Sequence, residues 1–222
     1  AVVDKIHAEA LKKGNSPELI KAMIYRLKYQ SAIDHTEVAD KLAEVKTFAD
    51  ADKNKVEQAV LYSLLAEFQL PVTSYQLPSV IAGLTRNPLS NNELWLKSVL
   101  PARELQTTPA AAYQGLLTDT AMYLTMYDVL LQRAIERLPQ NDNQAIIDSL
   151  YQQWIKFRKT DTAHPRALLM VTLDYLSFYQ RAKNTDADNT YYIHSLDSLQ
   201  REYAAKDFVV EVLHRHAEYY QG

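Results

Sequence analysis

The side chains of this 222-residue chain that could do chemistry are six histidines, 27 carboxylates and 15 tyrosines, with no cysteine among them. Without cysteine the chain carries no disulfide, no thiolate nucleophile and no thiolate-rich metal site. His7, His35, His164 and His194 are scattered, and His214 and His216 stand two residues apart, about 200° around a helix, so they cannot converge on one ion. Glu211 and His214 have the Glu-x-x-His spacing of helical di-iron carboxylate proteins, but such a site needs two copies of that motif and two further glutamates. One copy occurs here. There is no Gly-x-Ser-x-Gly elbow to expose a serine nucleophile and no glycine-rich loop to cradle phosphate. The expectation is a chain that is not an enzyme and that uses neither a cofactor nor a metal.

Tyrosine is the remaining feature. The pairs Tyr25/Tyr29, Tyr123/Tyr127 and Tyr175/Tyr179 are each four residues apart, which places two rings on one face of a helix. Tyrosine offers a large contact area with few rotatable bonds, so such faces suit recognition of peptides or sugars. Arg26 adjoins the first pair and Arg181 follows the last. Tyr25, Arg26, Tyr29, Tyr175, Tyr179 and Arg181 are therefore the candidate partner-binding residues. The competing reading, and the commoner use of tyrosine in repeat folds, is that the rings fill seams between helices while their hydroxyls reach water.

The elements that must position these rings are helical. Apolar residues make up 47% of the chain and charged residues 23%, with 4 glycines and 8 prolines, a balance that disfavours turn-rich sheets. A net charge of -3 and a pI near 6.1 supply no basic field for a phosphate backbone, which argues against a nucleic-acid partner. No run of about 18 apolar residues is present to span a bilayer. The chain opens without Met and ends in YYQG, and reads as a segment of a longer polypeptide whose signal peptide or lipid anchor would lie outside it.

The first thirty residues form a complete unit. Val3, Ile6 and Ala10 stripe one helix; Gly14 supplies the left-handed residue after it; Ser16 and Pro17 provide the cap and first turn of a second helix striped by Ile20, Met23, Ile24 and Leu27. Thr36 is expected to open a third helix and Asp52 or Asn54 a fourth, whose wide stripe (Val56, Val60, Leu61, Leu64, Leu65, Phe68) makes it more central. From Pro71 to about Asn92 the period fails. This stretch is expected to be an irregular connector and the first site of protease cleavage under native conditions, which limited proteolysis with mapped fragments checks. Helical patterning resumes at Glu93. Thr108 with Pro109 reads as another start, and a helix bearing Met122, Met126, Val129, Leu130 and Ile135 stops at Pro139. Asp142 or Asn143 caps a helix with Ile147, Leu150 and Trp154, Pro165 opens one with Leu169, Leu173 and Leu176, and a last pair runs from about Thr190 to Tyr220.

Leu196, Leu199 and Tyr203 repeat the pattern of Val3, Ile6 and Ala10, and Val209, Val212 and Leu213 repeat that of Ile20, Met23 and Ile24. Two helices per thirty to thirty-five residues is the spacing of tetratricopeptide (TPR) units, about 34 residues long, which stack because one unit cannot bury its own face. The fold class is accordingly all-α: antiparallel helical hairpins stacked as a TPR-like α-α superhelix. The expected organisation is a single helical repeat-like domain over residues 1–222, with nine to eleven helices and an irregular insertion at about 71–92.

The stretches KIHAEALKKGNSPELIKAMIYRLKYQSAID, DKNKVEQAVLYSLLAEF, SVLPARELQTTPAAAYQGLL and LTMYDVLLQRAIERL resemble the helical N-terminal region of alpha-2-macroglobulin-family proteins of Bacteroidetes, over roughly residues 2 to 138. The resemblance implies a periplasmic or cell-envelope protein, often lipid-anchored, whose parent traps proteases. The family's Cys-x-Glu-Gln thioester cannot be carried over to a chain without cysteine, and no bait region is recognisable. What the resemblance implies for this segment is a non-catalytic interaction or scaffold module whose partner is a protein or peptide, other domains of the same chain included. The alternative is a glycan-binding TPR-like module of a bacterial envelope system, which would need aromatic rings clustered on one exposed surface beside Asn, Asp or Arg.

Overall fold

A computed structural model describes residues 2–33, 35–68, 91–113, 124–183 and 185–221. Among these residues every regular element is helical: eleven α-helices and two short 3-10 segments, with no strand. The chain divides into two compact units, Ala1–Leu138 and Pro139–Gly222, where the sequence reads as one continuous array. Most of the stretch read as an irregular connector lies outside the described residues, as do Met122 and Tyr123.

The first unit begins with α1 (Val2–Lys13) and α2 (Ser16–Ile33), joined through Gly14 at φ 63°, the left-handed conformation expected of a residue that ends a helix. Asn15 rather than Ser16 caps α2: its Oδ1 accepts the Glu18 N–H at 3.4 Å, while the Ser16 hydroxyl donates to Glu57 of another helix. Then follow α3 (His35–Ala51) and α4 (Lys55–Phe68). Thr36 lies inside α3 and does not open it. Asn54 does open α4, its Oδ1 accepting from Val56 N at 3.0 Å and Glu57 N at 3.4 Å.

Helix α4 is the centre of this unit, in contact with α2, α3, α5 (Asn91–Ser98), α6 (Arg103–Thr107) and α7 (Met126–Arg137). Val60, Leu61, Leu65 and Ala66 are buried, as is every residue from Ala59 to Ala66, so almost no polar face remains. A helix apolar all round belongs inside a protein, and its neighbours are correspondingly amphipathic. Polar ties fix its rotation: Tyr62 Oη donates to Asp50 Oδ1 of α3 at 2.7 Å, and Arg133 of α7 donates to Ser63 Oγ at 3.1 Å and Glu67 Oε2 at 2.5 Å.

Thr108 and Pro109 lead into a short 3-10 helix. The Thr108 hydroxyl closes α6 by donating to Glu104 O at 2.7 Å, and Pro109 pairs with Thr125 in an isolated antiparallel bridge. A 3-10 segment, Ala110–Tyr113, follows. The next helix, α7, starts four residues later than Met122, at a capping box in which Thr125 N donates to Asp128 Oδ2 at 2.9 Å and Asp128 N to Thr125 Oγ at 3.4 Å.

The second unit holds α8 (Gln144–Lys159), α9 (Pro165–Lys183), α10 (Asp186–Glu202), a 3-10 segment Asp207–Val209 and α11 (Val210–Gln221). Asn143 precedes α8 but makes no side-chain cap; its Nδ2 turns back to donate to Pro139 O at 2.9 Å. Pro165 opens α9 as its fixed φ favours. Helix α10 begins at Asp186 behind a Thr185 cap, four residues before the expected start. Each helix packs on the next, and the core between α9, α10 and α11 is Leu169, Leu173, Leu176, Tyr192, Leu196, Tyr203 and Val212.

Candidate functional site

The two tyrosine pairs that fall wholly within the described residues meet different fates, and the difference lies in their neighbours. On α2, Tyr25 and Tyr29 are 45% and 58% exposed, with ring centroids 6.2 Å apart and planes at 24°, so they form a stacked aromatic platform open to water. Arg26 does not project freely beside them. Its guanidinium spans α1 and α3, with Nε 3.8 Å from Asp4 and Nη1 3.5 Å from Glu44. These distances describe weak, solvent-screened pairs, so the cation remains available to an approaching carboxylate at small cost.

On α9, Tyr175 and Tyr179 belong to a seam. Tyr175 Oη donates to Asp148 Oδ1 of α8 at 2.9 Å, and burial together with that carboxylate pushes its hydroxyl up to about 12. Its ring lies 5.6 Å from Tyr151 of α8 and 6.2 Å from Tyr179, which in turn lies 5.4 Å from Tyr191 of α10. Four rings from three helices thus form one tilted ladder, buried at Tyr151 and 51% exposed at Tyr191. The cation that meets Tyr179 is Lys183, one turn on, with Nζ 2.9 Å from the hydroxyl and 4.3 Å from the ring centroid. That contact raises the Lys183 ammonium above its ordinary value. Arg181, two residues on, is exposed and projects about 200° around the helix from Tyr179. The structure therefore brings Tyr25, Arg26 and Tyr29 together and places Arg181 apart from Tyr175 and Tyr179.

Tyr151, Tyr191, Asp148 and Lys183 were not readable as members of this group. Lys183 alone carries a local signal, its i,i+4 spacing from Tyr179; the others arrive from neighbouring helices. The polar rim continues with Gln180 Nε2 donating to Asn189 Oδ1 at 3.2 Å.

The Glu211/His214 pair and His216 each lie beside a charged side chain of the second unit. Glu211 accepts from Arg166 at 2.7 Å, His214 lies 3.8 Å from Glu218, and His216 lies 3.5 Å from Asp197. Among the described residues no group of three or more His, Cys, Asp or Glu is placed to hold a metal ion, and no helix is long and apolar enough to cross a membrane. What fold and surface define together is an all-helical protein built from sequence-adjacent helix pairs, presenting aromatic surface on α2 and on α9–α10. Comparison with protein-family models, with curated proteins and with solved structures finds no match to this chain.

Proposed function

We propose that this chain is a non-catalytic helical interaction module of TPR-like design, positioned on the N-terminal side of an alpha-2-macroglobulin-like protein of the bacterial cell envelope. The observation that carries the reading is the Tyr25/Tyr29 platform: two rings stacked on each other and exposed, with a weakly held arginine alongside. Leaving two large aromatic rings in water forgoes the burial that folding would otherwise gain, about 25 cal/mol per Å². A partner that covers them recovers that gain and can donate to the hydroxyls or pair with Arg26. The partner is a protein or peptide, and the domains following in the same polypeptide meet that description.

The test has two parts. The reading frame past Gly222 should encode β-rich macroglobulin-like repeats, and the first of these, purified, should bind this chain in a calorimetric titration. Tyr25→Ala with Tyr29→Ala should weaken that binding by about 1–3 kcal/mol, the range of aromatic anchors, with helicity and melting temperature unchanged because the rings are exposed. A frame without such repeats, or an unchanged affinity, removes the reading.

A second reading, glycan binding, is favoured by the α8–α10 ladder, where Tyr179 and Tyr191 stand beside Gln180, Asn189 and Lys183. Titrating soluble bacterial and plant polysaccharides against the same chain decides between them.

A further inference from the structure

The connection between α10 and α11 lacks the residues that break the other helices. Gly14, Asn54, Pro101, Pro139 and Pro165 stand at the breaks after α1, α3, α5, α7 and α8, whereas the run from Tyr203 to Asp207, YAAKD, holds no Gly, Asn or Pro. Alanine is the strongest helix former and lysine is among the better ones. The bend rests on Lys206, extended at φ -106° and ψ 141°, whose N–H donates to Tyr203 O at 2.8 Å. Asp207 supports it by accepting the Phe208 N–H on its Oδ1 at 2.9 Å.

Helix α11 also carries more apolar surface than its docking uses. Val212 is fully buried, and Val209 and Tyr219 pack beside it. Val210, Leu213, Ala217 and Tyr220 lie on another side of the helix and are exposed, Val210 by 57% and Tyr220 by 73%. These four positions continue the core-facing stripe of α10, which is Tyr192, Leu196, Leu199 and Tyr203, in the same alternating steps of four and three, with Lys206 completing the register between the two halves. This is the a/d spacing of a coiled-coil seam. It forms one seam only when α10 and α11 run on as one helix, because the bend at Lys206 turns the second half out of line.

We propose that α10 and α11 straighten into one continuous helix, and that a second copy of this chain covers the stripe so completed. Two such helices, running antiparallel, set the α10 half of each against the α11 half of the other. Each copy then regains what straightening removes. When α11 swings out, Val212 leaves the core it shares with Leu169, Leu173 and Leu196, and the segment shaped for that place is the α11 of the second copy. Mutual exchange of an identical element closes as a two-fold dimer. The ion pairs that hold α11 in the hairpin, Arg166 with Glu211 at 2.7 Å and Arg215 with Asp174 at 3.0 Å, are partly in water and resist the exchange little. Lys206 puts a charge into the seam and so holds the balance near the hairpin.

The chain has no cysteine, so spin labels on Thr190→Cys and Gln221→Cys, both exposed positions, read the bend without background. In the hairpin α10 and α11 lie side by side, with the Tyr192 and Tyr219 ring centroids 5.7 Å apart. One continuous helix separates positions 190 and 221 by about 46 Å, at a rise of about 1.5 Å per residue. Sedimentation of the intact chain from about 10 μM to about 1 mM should show monomer passing to dimer. The long distance, measured with the labelled chain diluted into unlabelled protein, should grow in step with the dimer. Leu213→Lys alters a side chain that is exposed in the hairpin, so it should keep the monomer's helicity and melting temperature while weakening dimerisation by about tenfold or more. Ala205→Gly with Lys206→Gly should weaken it by a similar factor from the hinge, and Lys206→Leu should strengthen it by about tenfold. A chain still monomeric at about 1 mM overturns the proposal, as does a dimer that keeps the short distance or one that Leu213→Lys leaves unchanged.

Discussion

Leu65→Ala should lower the stability of the N-terminal unit by about 2–5 kcal/mol, the range for deleting a fully buried leucine and leaving a cavity behind. Leu65 is 1% exposed in the middle of α4, the helix that touches five others, so no single neighbour can move in to fill the space without leaving its own contacts. The polar ties from Tyr62 to Asp50 and from Arg133 to Ser63 and Glu67 further hold α4 against collapse. The chain has two tryptophans, and they report on different units: Trp95 belongs to the first and Trp154 to the second. In a Trp154→Phe background, urea unfolding followed by Trp95 fluorescence reads the effect on the first unit alone. A loss under about 1 kcal/mol would mean that the site repacks far more freely than a many-sided core helix allows.

Asp161→Ala should destabilise the second unit by about 2–4 kcal/mol, a little below the 3–5 kcal/mol expected for breaking a fully buried ion pair. Arg158, at the end of α8, is only 2% exposed, and its Nη1 donates to Asp161 Oδ2 at 2.7 Å. The guanidinium also lies 4.9 Å from the Phe157 ring centroid. Removing the carboxylate strips a buried cation of this charge partner. The effect falls short of the full range because Asp161 keeps 25% of its side chain in water. Burial alone would raise the Asp161 carboxyl, but a hydrogen bond from His164 and the charges of His164 and Arg158 outweigh it and hold the group below its ordinary value. A depressed acid contributes stability above its unfolded pKa, about 3.9, and loses it as pH falls through the folded value. The gap between wild type and Asp161→Ala, read from Trp154 fluorescence in a Trp95→Phe background, should therefore be wide at pH 7 and close in acid. A gap that stays constant down to pH 2 would assign the loss to packing.

Arg158 and Asp161 show why part of the architecture is hidden in the sequence. In KFRKTDTAHP, Arg158 is one of several basic residues at a helix end, a place where cations are usually solvated and favour the helix dipole. Nothing local marks it as the one turned inward. The same holds for the caps: Ser16 and Thr108 have the residue type and the following proline of an N-cap, yet Ser16 donates to Glu57, forty-one positions away, and Thr108 closes α6. Cap chemistry is local, but a hydroxyl goes to whichever acceptor the fold brings nearest.

By itself the sequence determined the helical identity of the described segments, the left-handed Gly14 turn, the opening of α4 at Asp52 or Asn54 and of α9 at Pro165, and the centrality of α4, because each depends on residues within one or two turns of each other. Only the tertiary structure decided the division into two units at Leu138 and Pro139 and the fate of the tyrosines. An i,i+4 spacing puts two rings on one face whatever that face meets. It is Tyr151 and Asp148 of α8 and Tyr191 of α10 that draw Tyr175 and Tyr179 into a seam, while Tyr25 and Tyr29, with the same spacing, remain in water. Period is a property of one helix, whereas burial is a property of the helices beside it.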